Sequence, residues 1–155
     1  VVIEDAFGQL SFPGRLEVIS RRPVVLVDGA HNQDSAIHLA ETVNEVFPES
    51  RRILILGILE PHSPEEILKE LKAISPELII VCTAPSPRAV DARVLEEVAL
   101  RLGLEVERAE NPHEATLQAL RICNEEDLIV VAGSFYNISQ VRHAVEVSNS
   151  TTSEI

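Results

Sequence analysis

Four short apolar runs, residues 24–27, 53–59, 78–82 and 128–132, constrain this chain more than any other feature, because each is rich in β-branched residues and shows no polar alternate face. Strands of that kind are buried on both sides, as in a parallel sheet covered by helices. The stretches between them carry a helical period instead. Ala36, Leu39, Ala40, Val43 and Phe47 share one face, with Glu41 and Glu45 opposite. Further helices are expected over 64–74, 91–102, 112–123 and 138–147, and residues 104–108 alternate like a strand nearer an edge. Ser63-Pro64 and Asn111-Pro112 each place a cap residue before a proline at the first helical position, with Glu66 and Glu114 placed for capping boxes.

A strand over 16–19 is separated from 24–27 by only Ser20, Arg21, Arg22 and Pro23. A parallel crossover needs a dozen residues or more, so this pair is expected to be antiparallel. The prediction is an α/β, three-layer sandwich of about six strands, five running one way and one opposed, with helices on both faces. At 155 residues the chain is long enough for one such domain. Residues 1–12 have weak periodicity and are expected to be a linker or the end of a preceding domain, the main domain covers 13–147, and the polar stretch 148–155 is expected to be a disordered tail.

Charge and absences narrow the function. Thirteen Lys and Arg against 25 Asp and Glu give a formal net charge of −12, which repels phosphate backbones and anionic lipid, so nucleic acid and membrane partners are not expected. No apolar run approaches the ~20 residues of a membrane span, and a cytoplasmic location is the default expectation. Cys82 and Cys123 lack metal-ligand spacing and are expected to be reduced packing residues; no metal site is expected. There is no Gly-x-Gly-x-x-Gly turn and no Gly-x-Ser-x-Gly elbow, and the two lysines, Lys69 and Lys72, lie in one helix rather than in a P-loop.

In open α/β sheets ligands bind beyond the carboxyl ends of the parallel strands. After the first apolar run comes Asp28-Gly29-Ala30-His31-Asn32, which puts a carboxylate, a flexible glycine and an imidazole in one strand-to-helix turn. A carboxylate there can accept ribose hydroxyls, and an imidazole can donate to a phosphate or orient a substrate; the plainer alternative is that Asp28 and Asn32 satisfy turn backbone and His31 is solvated. After the last run, Gly133-Ser134-Phe135-Tyr136 repeats the pattern, with Ser134 placed for a helix cap, a ligand contact or both. Phe12-Pro13-Gly14-Arg15 is a rigid turn whose Arg15 can clamp phosphate or pair with a surface acid. Arg88, in a proline-stiffened loop, and Glu60, Pro61 and His62 are further rim residues. His38, His113 and His143 are expected to be solvated.

Pro13-Gly14-Arg15-Leu16-Glu17-Val18, Val25-Leu26-Val27-Asp28-Gly29-Ala30-His31-Asn32, Gly57-Ile58-Leu59, Ser86-Pro87-Arg88-Ala89 and Gly133-Ser134-Phe135-Tyr136 occur in this order. Together they resemble the C-terminal domain of the folylpolyglutamate synthases and dihydrofolate synthases, of the Mur ligase superfamily. The resemblance implies a Rossmann-like domain of an ATP-dependent ligase, which joins L-glutamate to a folate or pteroate carboxylate through an acyl phosphate, with ATP and Mg²⁺ as cofactors. It also implies a partner, an N-terminal P-loop domain that supplies most of the Mg²⁺ ligands, so that this chain alone is expected to be inactive. By matching positions, Arg15 and Asp28 would contact ATP, the aspartate at the ribose, while His31 and Ser134 would line the side where glutamate and phosphoryl group meet. One departure stands out: a Lys-Asp-Lys-Asp type segment is common after the Gly-Ile-Leu strand, and here Glu60-Pro61-His62-Ser63 replaces it. The competing expectations are a noncatalytic nucleotide- or partner-binding module and a Mur-type peptide ligase domain.

Overall fold

The computed structural model describes residues 16–153. Six strands, β1 (Glu17–Arg21), β2 (Val24–Val27), β3 (Arg52–Leu56), β4 (Leu78–Val81), β5 (Val106–Arg108) and β6 (Leu128–Ala132), form one sheet in the order β1-β2-β6-β3-β4-β5. Only the β1–β2 pair is antiparallel. Helices α1 (Gln33–Val46), α2 (Pro64–Leu71), α3 (Ala92–Arg101), α4 (Pro112–Ile122) and α5 (Ile138–Ser153) alternate with the strands, and short 3₁₀ turns cover Lys72–Ile74 and Phe135–Asn137.

The strand period of two divides the core into two layers. Leu26, Leu54, Leu56, Ile79, Val81, Leu128 and Val130 face α1, α2 and α3, meeting Leu39, Val43, Leu68, Leu71, Leu95 and Val98. Their neighbours Val25, Val27, Ile53, Ile55, Ile80, Ile129 and Val131 face α4 and α5, meeting Ala115, Ala119, Val141 and Val145. The runs therefore lack polar positions because each side of the sheet is roofed by helices.

Several boundaries differ from the sequence pattern. The run 53–59 forms a strand only to Leu56, because the chain then turns at Gly57, and Leu59 bridges to Ala89 instead. β1 runs to Arg21 rather than stopping at residue 19, and the helix expected over 64–74 tightens into the 3₁₀ turn after Leu71. Ser63 and Asn111 do cap α2 and α4, accepting from the N–H groups of Glu66 and Glu114, but a reciprocal capping box forms at Asn32 and Ser35 instead. The stretch expected as a disordered tail continues α5 through Ser153: no glycine or proline follows Gly133, and the Thr151 hydroxyl donates to the Val147 carbonyl. His113 is not simply solvated either. It is partly buried, its Nε2 has no hydrogen-bond partner among the described residues, and its ring lies 5.2 Å from that of His143.

The two ends of the sheet do different work. Before β3 and β6, Arg51 donates to both Asp127, at 2.6 Å through its terminal nitrogen, and the Ile122 carbonyl. That guanidinium holds the Asp127 carboxyl below its usual range. Arg52 is buried, donates to Asn44, Ile74 and Phe47, and joins α1 to the 3₁₀ turn. The carboxyl end, by contrast, is where β2 feeds α1 on one face and β6 feeds α5 on the other, so the crevice between β2 and β6 is the topological switch point.

Candidate functional site

The turn after β2 is built around Asp28. Its N–H extends the ladder to the Val131 carbonyl at 2.9 Å, Oδ1 accepts from the Ala30 N–H at 2.7 Å, and Oδ2 accepts from the Leu16 N–H at 3.1 Å. His31 is fixed as firmly. Its Nδ1 lies 2.9 Å from the Gly29 carbonyl, which has no hydrogen to give, so Nδ1 carries the proton and Nε2 is left for a substrate. Asn32 and Ser35 then cap α1, whose positive N-terminal end faces the same opening.

Gly29 and Gly133 let two turns interlock. A Cβ on Gly29 would lie 2.5 Å from the Phe135 ring, so that ring rests directly on the glycine. Gly133 has φ +107°, and a Cβ there would stand 2.2 Å from the Gly57 carbonyl oxygen. The Gly133 N–H donates to the Ala30 carbonyl at 2.7 Å, and the buried Asn137 Nδ2 reaches the Gly57 and Ala132 carbonyls at 3.0 and 3.3 Å. The ends of β2, β6 and β3 are thus locked together.

The resulting cleft, about 730 Å³, is lined by Asp28, Gly29, His31, Asn32, Ser35 and Phe135 among others, a volume suited to a nucleoside-sized ligand. Of the residues picked from sequence, Asp28 and His31 meet in this cleft. Ser134 lies beneath its rim, 3% exposed, where its Oγ accepts from the Tyr136 N–H at 3.1 Å and so serves as a cap; its hydroxyl hydrogen remains to donate. Arg15 lies outside the described residues. Arg88 is exposed on the loop after β4, which is zipped to the loop after β3 through the Glu60 N–H and the Arg88 carbonyl at 2.8 Å. Sequence alone missed Phe135 as a wall and His62 as a neighbour: the His62 ring stands edge-on to His31, centroids 5.0 Å apart. Burial, then the charges of His31 and Arg88, push the His62 imidazole below its usual range. Among the described residues no three His, Cys, Asp or Glu side chains converge as a metal site, and no helix is long and apolar enough to cross a membrane.

A six-stranded α/β domain with its polar crest at the β2/β6 switch point is an architecture that takes ligands beyond the carboxyl ends of its parallel strands. Residues 14–135 match the family described as Mur ligase, glutamate ligase domain, and the chain belongs to that family. It is similar to the dihydrofolate synthase/folylpolyglutamate synthase of Bacillus subtilis, 28% identical over 143 residues, covering 90% of this chain and 32% of that protein. The folylpolyglutamate synthase of Lacticaseibacillus casei is 30% identical over 143 residues, covering 92% and 32%. Among solved structures, Mycobacterium tuberculosis folylpolyglutamate synthase complexed with ADP and AMPPCP superposes with a TM-score of 0.71 at 28% identity, covering 92% of this chain and 33% of the other. The match is to the C-terminal domain of such synthases, and the chain spans about a third or less of the relatives' length, from 15% to 34%.

Proposed function

We propose that this chain is the glutamate-ligase half of an ATP-dependent folylpolyglutamate or dihydrofolate synthase that acts in the cytoplasm. The observation that carries the proposal is the cleft at the β2/β6 crest, where Asp28 and His31 are held by backbone bonds inside the segment that the ligase family matches. The nucleotide in the M. tuberculosis relative supports ATP as the ligand. In this reading residues 13–147 contain the ligase domain and 1–12 lead in from a preceding one.

The chemistry runs in two displacements. A folate or pteroate carboxylate oxygen attacks the γ-phosphorus of ATP and ADP leaves. The glutamate amine then attacks the acyl carbon, an amide forms, and inorganic phosphate departs with the carboxylate oxygen. Asp28 accepts the ribose hydroxyls, and Arg15 pairs with phosphate. On the side where amino acid and phosphoryl group meet, the His31 Nε2 accepts and the Ser134 hydroxyl donates, so their contribution is positioning and charge stabilisation. Mg²⁺ would neutralise phosphate charge when bound, with its ligands expected mainly on the N-terminal P-loop domain.

The test is ADP formation from ATP, Mg²⁺, L-glutamate and a reduced folate, with this chain alone, the P-loop domain alone, and the two joined. Turnover only in the joined sample is expected, with Asp28→Ala and His31→Ala each lowering it. A folded joined protein that binds ADP without turnover would make the chain a noncatalytic nucleotide-binding module, and turnover with a cell-wall peptide but no folate would make it a peptide ligase.

A further inference from the structure

Among the described residues, three buried side-chain polar atoms have no hydrogen-bond partner: Arg52 Nε, Asn137 Oδ1 and His113 Nε2. The first is an N–H with no lone pair to offer, and the second lies inside the bonds that join β3 to β6. His113 differs in kind. It sits in the first turn of α4 and lines an open pocket of about 450 Å³ with Asn111, Ser139, Gln140 and His143. None of these residues lines the crest cleft. On α5, Ser139, Gln140 and His143 recur at three- and four-residue spacing, a polar stripe beside the buried Val141 and Val145.

The local chemistry is that of a metal-ligating imidazole. The His113 backbone N–H donates to Gln140 Oε1 at 3.2 Å, which sets the start of α4 against α5. Glu114 Oε1 stands 3.7 Å from His113 Nδ1. A carboxylate on that side favours the tautomer with its proton on Nδ1 and leaves the Nε2 lone pair bare, as in carboxylate–histidine–metal arrangements. The His143 ring stands 5.2 Å from that of His113, centre to centre, and tilted by 33°. Two imidazoles on one tetrahedral ion, with metal–nitrogen bonds of about 2.0–2.1 Å, have ring centres about 5.2 Å apart. His143 is exposed, so an ion has a path from solvent to the buried nitrogen. Charge agrees with a cation: Glu110 and Glu114 flank the start of α4 and offset its positive end, and Glu146 lines the adjoining surface with His143. The other close histidine pair, His31 and His62, has the charge of Arg88 beside it, which repels a cation.

We propose that His113 and His143 bind Zn²⁺ or a similar borderline-soft divalent ion, with water in the remaining positions, and that the ion staples α4 to α5. The site is separate from the Mg²⁺ of the proposed reaction, because a hard ion takes oxygen ligands whereas imidazole suits zinc, copper and nickel. It stands whether or not the ligase reading does. Two protein ligands in place of the four of a structural zinc make the ion exchangeable, with a dissociation constant on the order of 10 µM.

The test titrates ZnCl₂ into the ¹⁵N-histidine-labelled chain at about pH 7.5, where a free imidazole is mostly neutral. NMR follows the ring nitrogens of each histidine, with MgCl₂ as the control. Zn²⁺ is expected to move His113 and His143 together, at the same ion concentration, and Mg²⁺ to move neither. His143→Ala, at an exposed position where folding is spared, should weaken zinc at His113 about 100-fold, and Glu114→Gln, which removes only the outer carboxylate, about tenfold. The thermal midpoint should rise with zinc more in the parent than in His143→Ala. Zinc that moves His31 and His62 while His113 and His143 stay in place overturns the site. So does a His143→Ala chain whose His113 responds to zinc as the parent's does, or an equal response to Mg²⁺, which would mark acids rather than imidazoles as the ligands.

Discussion

Replacing Gly133 by alanine tests how the crest is locked. At φ +107° an L-residue is strained, which costs about 1–3 kcal/mol. The added Cβ would also stand 2.2 Å from the Gly57 carbonyl oxygen and 2.9 Å from its carbon, both backbone atoms that no rotamer change can move aside. Overpacking of this kind costs a further 1–3 kcal/mol or so, giving about 4 kcal/mol in total. Gly103 supplies the control. It also has positive φ, +77°, but nothing lies within 4 Å of its Cβ position, so Gly103→Ala bears strain alone, about 1 kcal/mol. Urea unfolding separates the two. With a slope of about 2 kcal/mol/M, the midpoint of Gly133→Ala should fall roughly 1.5 M below that of Gly103→Ala. Equal midpoints would refute the claim that backbone crowding between β6 and β3, rather than dihedral strain, demands glycine at 133.

Asn137→Ala should destabilise the domain by about 2–3 kcal/mol in the same assay, because it removes the donor from two buried carbonyls, those of Gly57 and Ala132. Asp127 gives an acid-limb prediction. Its folded pKa is depressed by Arg51, so the pair's stabilisation is present above the unfolded carboxyl value of about 3.9 and is lost as pH falls through the folded value. Asp127→Asn should therefore be less stable than the parent at pH 7 and lose less on acidification, measured as thermal midpoint against pH; parallel curves would remove the linkage. Burial pushes the Cys82 thiol up to about 12 and Cys123 to about 11, so a thiol reagent at pH 8 should label the native chain slowly and the urea-unfolded chain fast. Rapid native labelling would contradict the burial of Cys82.

What the sequence revealed follows from the distance over which each feature acts. Val24 to Val27 and Leu128 to Ala132 announce buried strands by composition alone, and the four-residue link before Val24 forces an antiparallel pair whatever the rest does. Asp28, His31 and Asn32 are legible as a candidate site because they fall within five residues that follow a strand. The strand order is not legible: that Val25 pairs with Ile129, inserting β6 between β2 and β3, depends on which of several similar apolar ladders pack best together. Everything that depends on that order was hidden with it. Phe135 lies on Gly29 across 105 intervening positions, and His62 reaches His31 only once β3 is seated one strand away from β2. Ser134, conversely, looked equally suited to cap and to ligand contact, and its burial shows that capping is its structural task.

The central place of β6 has a consequence for how the protein is made. β6 begins at Leu128, near the end of the chain, yet it hydrogen-bonds to both β2 and β3. As the polypeptide leaves the ribosome, β1–β2 and β3–β4–β5 emerge as two incomplete sheets, each with an open apolar edge. Neither half can close until Leu128 to Ala132 arrives, and the same event brings Phe135 onto Gly29. A chain interrupted upstream of β6 therefore leaves sticky edges for quality control to find, but never a half-formed cleft at the crest.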